Sequence, residues 1–443
     1  MKRNSQAFFP ELNPGVRTKR TGWTGSFVPA VSRILLLVAV FCFSSEMRAA
    51  ERQILITGEA FQKTRVMVSG FTRSGAPDAS ALTQTLSETL RFDLDHSGFF
   101  TLVPDTKNSE VFVKADYTVS GDDIATDCYV YEVSSNKALF GRRLSGRADQ
   151  ARRVVHRMAD VIVKEMTRVD GIASTRIAFV ADGGGRDKDI NLIDYDGHNL
   201  VRVTNDKTLS VAPDWSPDGS KIYYTTYLYG YPRVCSIDLE TGKRKVVSSY
   251  PGLNAFPAIS PGGKEMALSL SKDGAVEIYA ASLDGKQPRR LTRSQGGVAS
   301  SPCWSPTGTQ IAFVSNRGGG AQIYAMNPDG SNVRRLLSGF SYVTSLDWSP
   351  RGNHIAFSAR YGGTLQIFLL DVDRRTTRQI TSGSASHENP SFAPNGIHIV
   401  YVRTSGYESD LYVVDTRDKE LQPYRLTSLQ GDETYPTWSP VGY

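Results

Sequence analysis

A five-residue block recurs six times from residue 215 onward. Each copy has an aromatic or aliphatic residue, then Ser or Ala, a proline, one variable residue and a glycine. A repeat period in the forties is typical of β-propeller blades, each of which buries its apolar faces against its neighbours. The prolines lie 44, 45, 44, 44 and 46 residues apart, at Pro217, Pro261, Pro306, Pro350, Pro394 and Pro440. Six copies therefore predict six blades.

The residue types of the block indicate a turn between two strands. Ser-Pro-x-Gly suits a type I turn, since Pro presets φ at the second position and Gly is favoured at the fourth. An apolar strand follows each turn except the last, and within each repeat a third strand and a short basic strand come next, the basic one at 201–204, 290–292 or 425–427, for example. Charged edge strands discourage aggregation, so we interpret these arginines as solvated edge residues. Four short strands per repeat are typical of a propeller.

The two ends of the repeat region complement each other. Residues 176–181 (RIAFVA) have the pattern of a second strand, but no Ser-Pro block precedes them. The last block, at 435–440, has no second strand after it. We therefore expect the C-terminus to supply the innermost strand of the blade that begins at residue 176, because this closes the ring and hides two sheet edges.

Residues 51–172 have a different pattern and predict a small α/β domain. Leu82, Leu86, Leu90 and Leu94 form one stripe of a helix, and a second helix covers residues 154–166. Strands are predicted at 65–71, 99–103, 117–119, 128–133 and 138–144, with one helix after the first strand and the other after the last. The predicted organisation is thus a leader at 1–50, an α/β domain at 51–172 and a six-bladed propeller at 173–443.

The first 50 residues resemble a secretory leader. Residues 34–43 are an uninterrupted apolar run that is too short to span a bilayer, and Arg33 precedes them. A buried N-terminal strand is the alternative. The leader holds seven Lys/Arg and two Asp/Glu, so the rest keeps 51 − 7 = 44 basic and 45 − 2 = 43 acidic residues. A net charge of +1 leaves no basic surface for nucleic acid, and without the leader we expect no membrane insertion.

A search for reactive groups favours a protein without catalysis. The sequence has no Gly-x-Ser-x-Gly elbow and no His-Glu-x-x-His zinc helix. Cys128, Cys235 and Cys303 have no metal-ligand spacing and are expected to be small buried side chains. His387 and Glu388 are the one candidate catalytic pair, before an innermost strand. We expect no cofactor, no metal and no enzyme activity.

The candidate binding site is the channel mouth. Six segments that enter the innermost strands should meet at one end of the ring, where a rigid scaffold presents them together. They are residues 209–213, 253–257, 299–302, 343–345, 387–390 and 433–436.

The chain resembles the TolB family, the periplasmic component of the Tol–Pal system of Gram-negative bacteria. The resemblance rests on the propeller repeat up to residues 436–440, on the helix–strand domain before it, and on the segment ERQILI at 51–56. It implies a periplasmic scaffold that binds the peptidoglycan-associated lipoprotein Pal at the propeller mouth and TolA of the inner membrane through its N-terminus. Such a protein links the envelope layers and supports constriction during division, and the chain would be monomeric by itself.

Carried onto this sequence, the resemblance implies two sets of contact residues. The Pal face would include Leu253, Asn254, Ala255, Phe256, Ala299, Ser300, Ser301, Glu388 and Thr434. The TolA segment would be Glu51, Arg52, Gln53, Ile54, Leu55, Ile56 and Thr57, an apolar–polar strip suited to adding a strand to a partner's sheet. An ordinary edge strand of the α/β domain is the alternative for that segment.

Two other functions stay open at this point. One is an exported propeller enzyme, such as a glycan lyase or a peptidase-like protein. The other is a TolB-like propeller that serves a different envelope ligand.

Overall fold

The α/β domain has the element order that the sequence predicts. A computed structural model describes residues 62–75, 80–418 and 420–442. The mixed sheet has the order β2-β1-β3-β4-β5, with β1 parallel to both its neighbours and β3, β4 and β5 antiparallel. The elements are β1 (Thr64–Arg73), α1 (Ser80–His96), β2 (Phe100–Leu102), β3 (Val111–Ser120), β4 (Asp123–Glu132), β5 (Lys137–Arg147) and α2 (Ala151–Thr167).

The predicted helix stripes are buried along most of their length, with Leu82 at the start of α1 only partly buried. Leu86, Leu90 and Leu94 of α1 are fully shielded from solvent, as are Val155 and Met158 of α2. This follows from the 3.6-residue period, which places residues three and four apart on one helix face. None of the described helices is long and apolar enough to cross a membrane.

Six four-stranded antiparallel sheets follow, and they form the predicted six-bladed propeller. Blades 1 to 5 are consecutive in the chain, and each starts at its innermost strand. Blade 1 comprises β9 (Ser210–Trp215), β10 (Lys221–Thr226), β11 (Arg233–Asp238) and β12 (Arg244–Ser248), and blade 2 comprises β13 (Asn254–Ile259), β14 (Glu265–Leu270), β15 (Glu277–Ser282) and β16 (Arg289–Arg290). Blade 3 comprises β17 (Ala299–Trp304), β18 (Ile311–Ser315), β19 (Gln322–Met326) and β20 (Arg334–Arg335), and blade 4 comprises β21 (Val343–Trp348), β22 (His354–Tyr361), β23 (Thr364–Asp371) and β24 (Thr376–Gln379). Blade 5 comprises β25 (Ser386–Phe392), β26 (His398–Ser405), β27 (Glu408–Asp415) and β28 (Tyr424–Arg425).

Blade 6 joins the two ends of the propeller sequence, as predicted. Its order is β29-β6-β7-β8, with β29 (Glu433–Trp438) as the innermost strand and β6 (Arg176–Ala181), β7 (Asp189–Asp194) and β8 (Val201–Arg202) outside it. Trp438 pairs with Ile177 and donates its indole N–H to Thr175 Oγ1 at 2.7 Å. The C-terminal strand therefore closes the ring.

Glu433, the first residue of β29, is fully buried in this closing blade. It accepts a hydrogen bond from Thr427 Oγ1 at 3.2 Å. Burial, together with the nearby carboxylate of Asp410, raises the pKa of Glu433 to about 8. The closing blade thus holds a carboxyl group that is largely protonated at neutral pH.

The interpretation of the basic outer strands as merely solvated is wrong for three blades. There the guanidinium contacts a carboxylate on the adjacent third strand, which holds the short outer strand in place. The pairs are Arg202 with Asp189, Arg290 with Glu277 and Arg425 with Asp410.

One hydrophobic core continues from the α/β domain into blades 5 and 6. It includes Leu90 of α1, Met158 of α2, Phe179 of β6 and Val400 of β26. Its continuity makes the two parts one packed body.

The predicted burial of Cys128, Cys235 and Cys303 is confirmed, and burial raises the pKa of the Cys128 thiol to about 12.

A buried ion-pair cluster lies where the helices meet blade 6. His156 of α2 contacts Asp93 of α1 at 2.8 Å and Asp196 of the β7–β8 turn at 3.3 Å. Burial alone would lower the pKa of His156, but the two carboxylates raise it, so the imidazole is a cation at neutral pH. Asp194 and Asp196 lie close enough to His156 to share a metal ion with it. Arg152 already binds Asp196, so the cluster is better explained as an ion-pair network.

Candidate functional site

The two ends of the ring differ in what covers them. The Pro-Gly turns lie at one end, and the contacts with the α/β domain are at this end. Arg351 pairs with Asp170, and Arg417 donates to the Gly98 carbonyl oxygen at 2.8 Å. We call the opposite end, where the innermost strands begin, the open end.

A bulge interrupts each innermost strand near the open end. The pairing with the second strand shifts at the same place in all six blades. There a non-glycine residue adopts φ between 50° and 53°, a left-handed conformation that costs about 1–2 kcal/mol for a residue with a side chain. The six residues are Ala212, Phe256, Ser301, Ser345, Asn389 and Tyr435. Such strain at six equivalent positions points to a function for this rim.

The bulge residues surround a cavity on the ring axis. Its volume is about 500 Å³, and the six turn prolines line it at the opposite end. The segments predicted as loops at the mouth are therefore mainly the first halves of innermost strands, which the bulges bend toward the axis. Regular strands hold this mouth more rigidly than loops would.

Two carboxyl groups inside the ring join neighbouring blades. Asp214 accepts a hydrogen bond from the Ile259 backbone N–H of blade 2 at 2.7 Å. Asp347 accepts one from the Phe392 N–H of blade 5 at 2.6 Å. Burial raises the pKa of each carboxyl to about 7. Their geometry indicates structural acceptors between blades.

The candidate pair His387 and Glu388 does not form a catalytic dyad. His387 is buried, and its Nδ1 bonds to Gln366 Oε1 at 2.9 Å. Burial and the charge of Arg403 lower the pKa of His387 to about 4, so the imidazole is neutral at pH 7. Glu388 lies half-buried at the mouth, where burial raises its pKa. In the described part of the chain, the two side chains are not hydrogen-bonded to each other.

Comparison with known proteins gives the family. The sequence profile of the TolB beta propeller domain matches residues 163–442. The chain belongs to the TolB propeller family. This match covers all six blades and the closing strand described above.

Named TolB proteins share part of this sequence. The chain is 30% identical over 284 residues to the Tol-Pal system protein TolB of Desulfosudis oleivorans. The aligned region covers 59% of this chain and 64% of that protein. The chain is 32% identical over 228 residues to the protein TolB homolog of Chlorobaculum tepidum, 47% of this chain and 52% of that protein. The chain thus spans about half to two thirds of these relatives.

The fold extends over more of the chain than the sequence matches do. A crystal structure of TolB from Acinetobacter baumannii has 27% identity to this chain and a TM-score of 0.75. The superposition covers 86% of this chain and 97% of that one. The α/β domain and the propeller therefore occur together in a solved TolB structure.

The predicted Pal-face residues fall into two groups in this TolB-family chain. Asn254, Ala255 and Ala299 are buried, so their side chains are not available to a partner. Asn254 instead accepts hydrogen bonds from Ser248 Oγ and the Tyr250 N–H. The half-buried residues at the mouth are Leu253, Phe256, Ser300, Ser301, Glu388 and Thr434.

The predicted TolA segment and the predicted leader lie outside the described residues. Glu51, Arg52, Gln53, Ile54, Leu55, Ile56 and Thr57 precede residue 62, where the description begins. Their role stays a prediction.

Sequence reasoning missed the bulges and the two inter-blade carboxylates. The tetrapeptide Asp-Trp-Ser-Pro occurs twice, at Asp214 and Asp347, and this repetition was an available signal. The bulges have a weaker signal, a proline directly after the left-handed residue in five of the six strands. Blade 4 has Leu346 there.

Proposed function

We propose that this chain is a periplasmic, non-enzymatic binding scaffold of the Tol–Pal system. In this role the open end binds the peptidoglycan-associated lipoprotein Pal, and residues 51–57 engage TolA of the inner membrane. The scaffold would link the two membranes and the wall, and would support outer-membrane constriction during division.

The observation that carries the proposal is the open end of a TolB-family propeller. The α/β domain contacts the opposite end, and six equivalent bulges surround one mouth. The bulge residue is half-buried in five blades and is the buried Ala212 in blade 1. A rigid concave rim of this kind is a common binding site.

The chemistry of the mouth supports binding over catalysis. His387 is buried and neutral, and its Nδ1 is engaged with Gln366. Asp214 and Asp347 accept backbone hydrogen bonds between blades. A general acid or base has to lie within hydrogen-bond reach of a substrate and orient toward it, and these groups are already committed to structural bonds.

The test is a binding titration with the soluble domain of the Pal-like lipoprotein from the same organism. Ser300→Trp with Thr434→Trp places two bulky uncharged side chains in the mouth and should weaken binding by about 100-fold or more. Thr376→Trp with Thr377→Trp on the exposed outer strand β24 is the matched control and should bind as the wild type does. Equal binding by wild type and mouth variant would contradict the proposed face.

The N-terminal part of the proposal is tested separately. A variant that lacks residues 51–57 should lose binding to the TolA-like protein and keep binding to the lipoprotein domain. Retention of both would leave the segment without the proposed role. Turnover of a glycan or peptide by the pure protein would favour the enzyme alternative.

A further inference from the structure

Among the described residues, arginines without carboxylate partners recur at the open end, one in each of four blades. Each lies near the hairpin between the second and third strands and covers an aromatic ring. Arg360 lies 5.9 Å from the Tyr342 ring centre, and Arg403 lies 5.3 Å from that of Tyr412. The other two are Arg233, 4.6 Å from Tyr229, and Arg317, 5.2 Å from Tyr324.

These four differ from other arginines of the same ring. Arg202, Arg290 and Arg425 each contact a carboxylate of their own blade. Within the part of the chain that the structure describes, no carboxylate lies within 4 Å of Arg233, Arg317, Arg360 or Arg403, whose polar contacts go to hydroxyl groups where they have any. Blade 1 even carries Arg233 at the position where blades 2 and 6 have the pairing carboxylates Glu277 and Asp189.

Stacking on a ring holds each guanidinium in place. Arg317 and Arg403 also donate to hydroxyl groups, and their remaining N–H groups are available to a partner. The planar guanidinium can then form two parallel hydrogen bonds to a carboxylate with little further loss of conformational freedom. Such preorganised cations favour a partner that brings the missing negative charges.

The aromatic side chains around these arginines extend the same surface. Tyr231, Tyr361 and Tyr407 are 69%, 57% and 101% exposed, and all three lie in hairpins of the open end. Tyr and Arg are the residues most enriched at the energetic centres of protein interfaces. Acidic residues also lie at this end, and several of them already have partners: Asp182 with Lys188, Asp206 with Arg244 and Asp273 with Lys272. Asp182, Asp187, Asp206 and Asp432 belong to blade 6 or to the segments that join it to blades 1 and 5, whereas Glu388 is half-buried and Glu408 lies beside Tyr407.

We propose that the open end docks an acidic polypeptide segment, with Arg317, Arg360 and Arg403 of three consecutive blades binding its Asp and Glu carboxylates. This inference rests on the proposed function for the location of the partner, and it adds the chemistry that selects the partner. The tyrosines contact the apolar side chains between the carboxylates, and the mouth takes up one such side chain.

The test uses the purified protein and three labelled probes. These are a 12-residue peptide that alternates Glu with Leu, its counterpart with Lys in place of Glu, and polyphosphate. Fluorescence anisotropy should show binding of the acidic peptide, and raising the salt from about 50 to about 300 mM should weaken it, because salt screens these contacts. Equal or tighter binding of polyphosphate would assign the site to an anion of another class and overturn the proposal.

The decisive variant replaces Arg317, Arg360 and Arg403 with Gln. It should weaken binding of the acidic peptide by roughly 30-fold or more, whereas a triple Arg→Lys variant should recover part of the loss because it restores the charge. Arg335, Arg374 and Arg375 replaced with Gln form the control, since these exposed arginines lie on the outer rim and the charge change is equal. Thermal melts check that all variants fold.

The results separate this inference from the proposed function. If the lipoprotein domain binds the wild type and the Arg→Gln variant equally, the arginine surface is wrong and the scaffold role stands. If the acidic peptide binds through the arginines and the lipoprotein domain does not bind at all, the acidic-segment inference stands and the Pal assignment is wrong. An equal loss of acidic-peptide binding in the control variant would show that the effect comes from net charge, and this would overturn the proposal.

Discussion

Removal of the closing strand should destabilise the whole ring. The perturbation is a chain that ends at Asp432, which lacks β29 and the residues after it. This variant leaves β6 as an unpaired edge beside the axis and exposes the side of blade 5 that β29 covers. The ring then has two free ends.

The magnitude follows from the contacts that β29 makes. Four of its residues pair with β6, and at about 1 kcal/mol per backbone hydrogen bond they contribute about 4 kcal/mol. Trp438 is 4% exposed, and loss of a buried Trp side chain costs about 3–5 kcal/mol. A loss of about 8 kcal/mol is comparable to the total stability of about 5–15 kcal/mol that native proteins have.

The assay combines a thermal melt with hydrogen exchange. We expect Tm to fall by roughly 10–15 °C, since each of the roughly 8 kcal/mol should lower the Tm of a domain of this size by somewhat under 2 °C. A chain that ends at Pro440 is the matched control, because Val441 and Gly442 are exposed and their removal should change Tm little. Amides of β18, on the far side of the ring, should exchange faster only in the variant without β29.

Two results would refute this reasoning. One is a Tm for the variant without β29 that stays within about 2 °C of the wild type, because the strand would then contribute almost nothing. The other is faster exchange confined to blade 6, which would mean that the blades are stable without closure.

Three further variants probe buried groups. Glu433→Gln should stabilise the protein by about 3 kcal/mol above pH 8 and should have little effect near pH 4. The reason is that the raised pKa of Glu433 makes the stability of the wild type fall as pH rises from about 4.5 to about 8, whereas Gln stays neutral. Urea unfolding at several pH values measures the difference. His156→Gln should cost about 3–5 kcal/mol in urea unfolding, since Asp93 loses its buried cation. Gly171→Ala should lower Tm, because the added Cβ would overlap the carboxylate of Asp160. That carboxylate accepts the Ala173 N–H and so fixes the segment that joins the α/β domain to the propeller.

Each of these variants has a control at an equivalent residue. Glu265→Gln removes a more exposed carboxylate and should show no pH-dependent gain. His198→Gln removes an exposed imidazole and should leave stability nearly unchanged. Gly262→Ala has open space at the new Cβ and should be tolerated. Equal effects in variant and control would contradict the assigned role of the buried group.

The elements of the propeller could be predicted because their signals are local. Pro217 and its five counterparts sit in turns whose backbone they help to set, and an apolar strand follows each one except the last. The closing blade was predictable as well. The first repeat lacks an innermost strand, and the last repeat consists of an innermost strand alone, so the two together make one complete blade. The helix stripe at Leu86, Leu90 and Leu94 has the same local character.

The side-chain environment of the mouth was less accessible to sequence reasoning. Asn254, Ala255 and Ala299 have the sequence positions of mouth residues, yet all three are buried. Asn254 and Ala255 are consecutive, so their side chains lie on opposite faces of the strand, and both faces are covered by neighbouring segments. The bulge at Phe256 and its equivalents then changes which residues face the mouth.

By itself the sequence determined the fold class, the number of blades and the closure of the ring, since each follows from periodicity and turn chemistry within a few residues. Only the tertiary structure decided which polar groups are partnered. Asp214 bonds to a backbone N–H 45 residues away in the next blade, and Arg202 contacts the carboxylate of Asp189 whereas Arg317 donates to hydroxyl groups instead. Such pairings depend on how ring curvature brings distant segments together, and a local pattern carries no information about that distance.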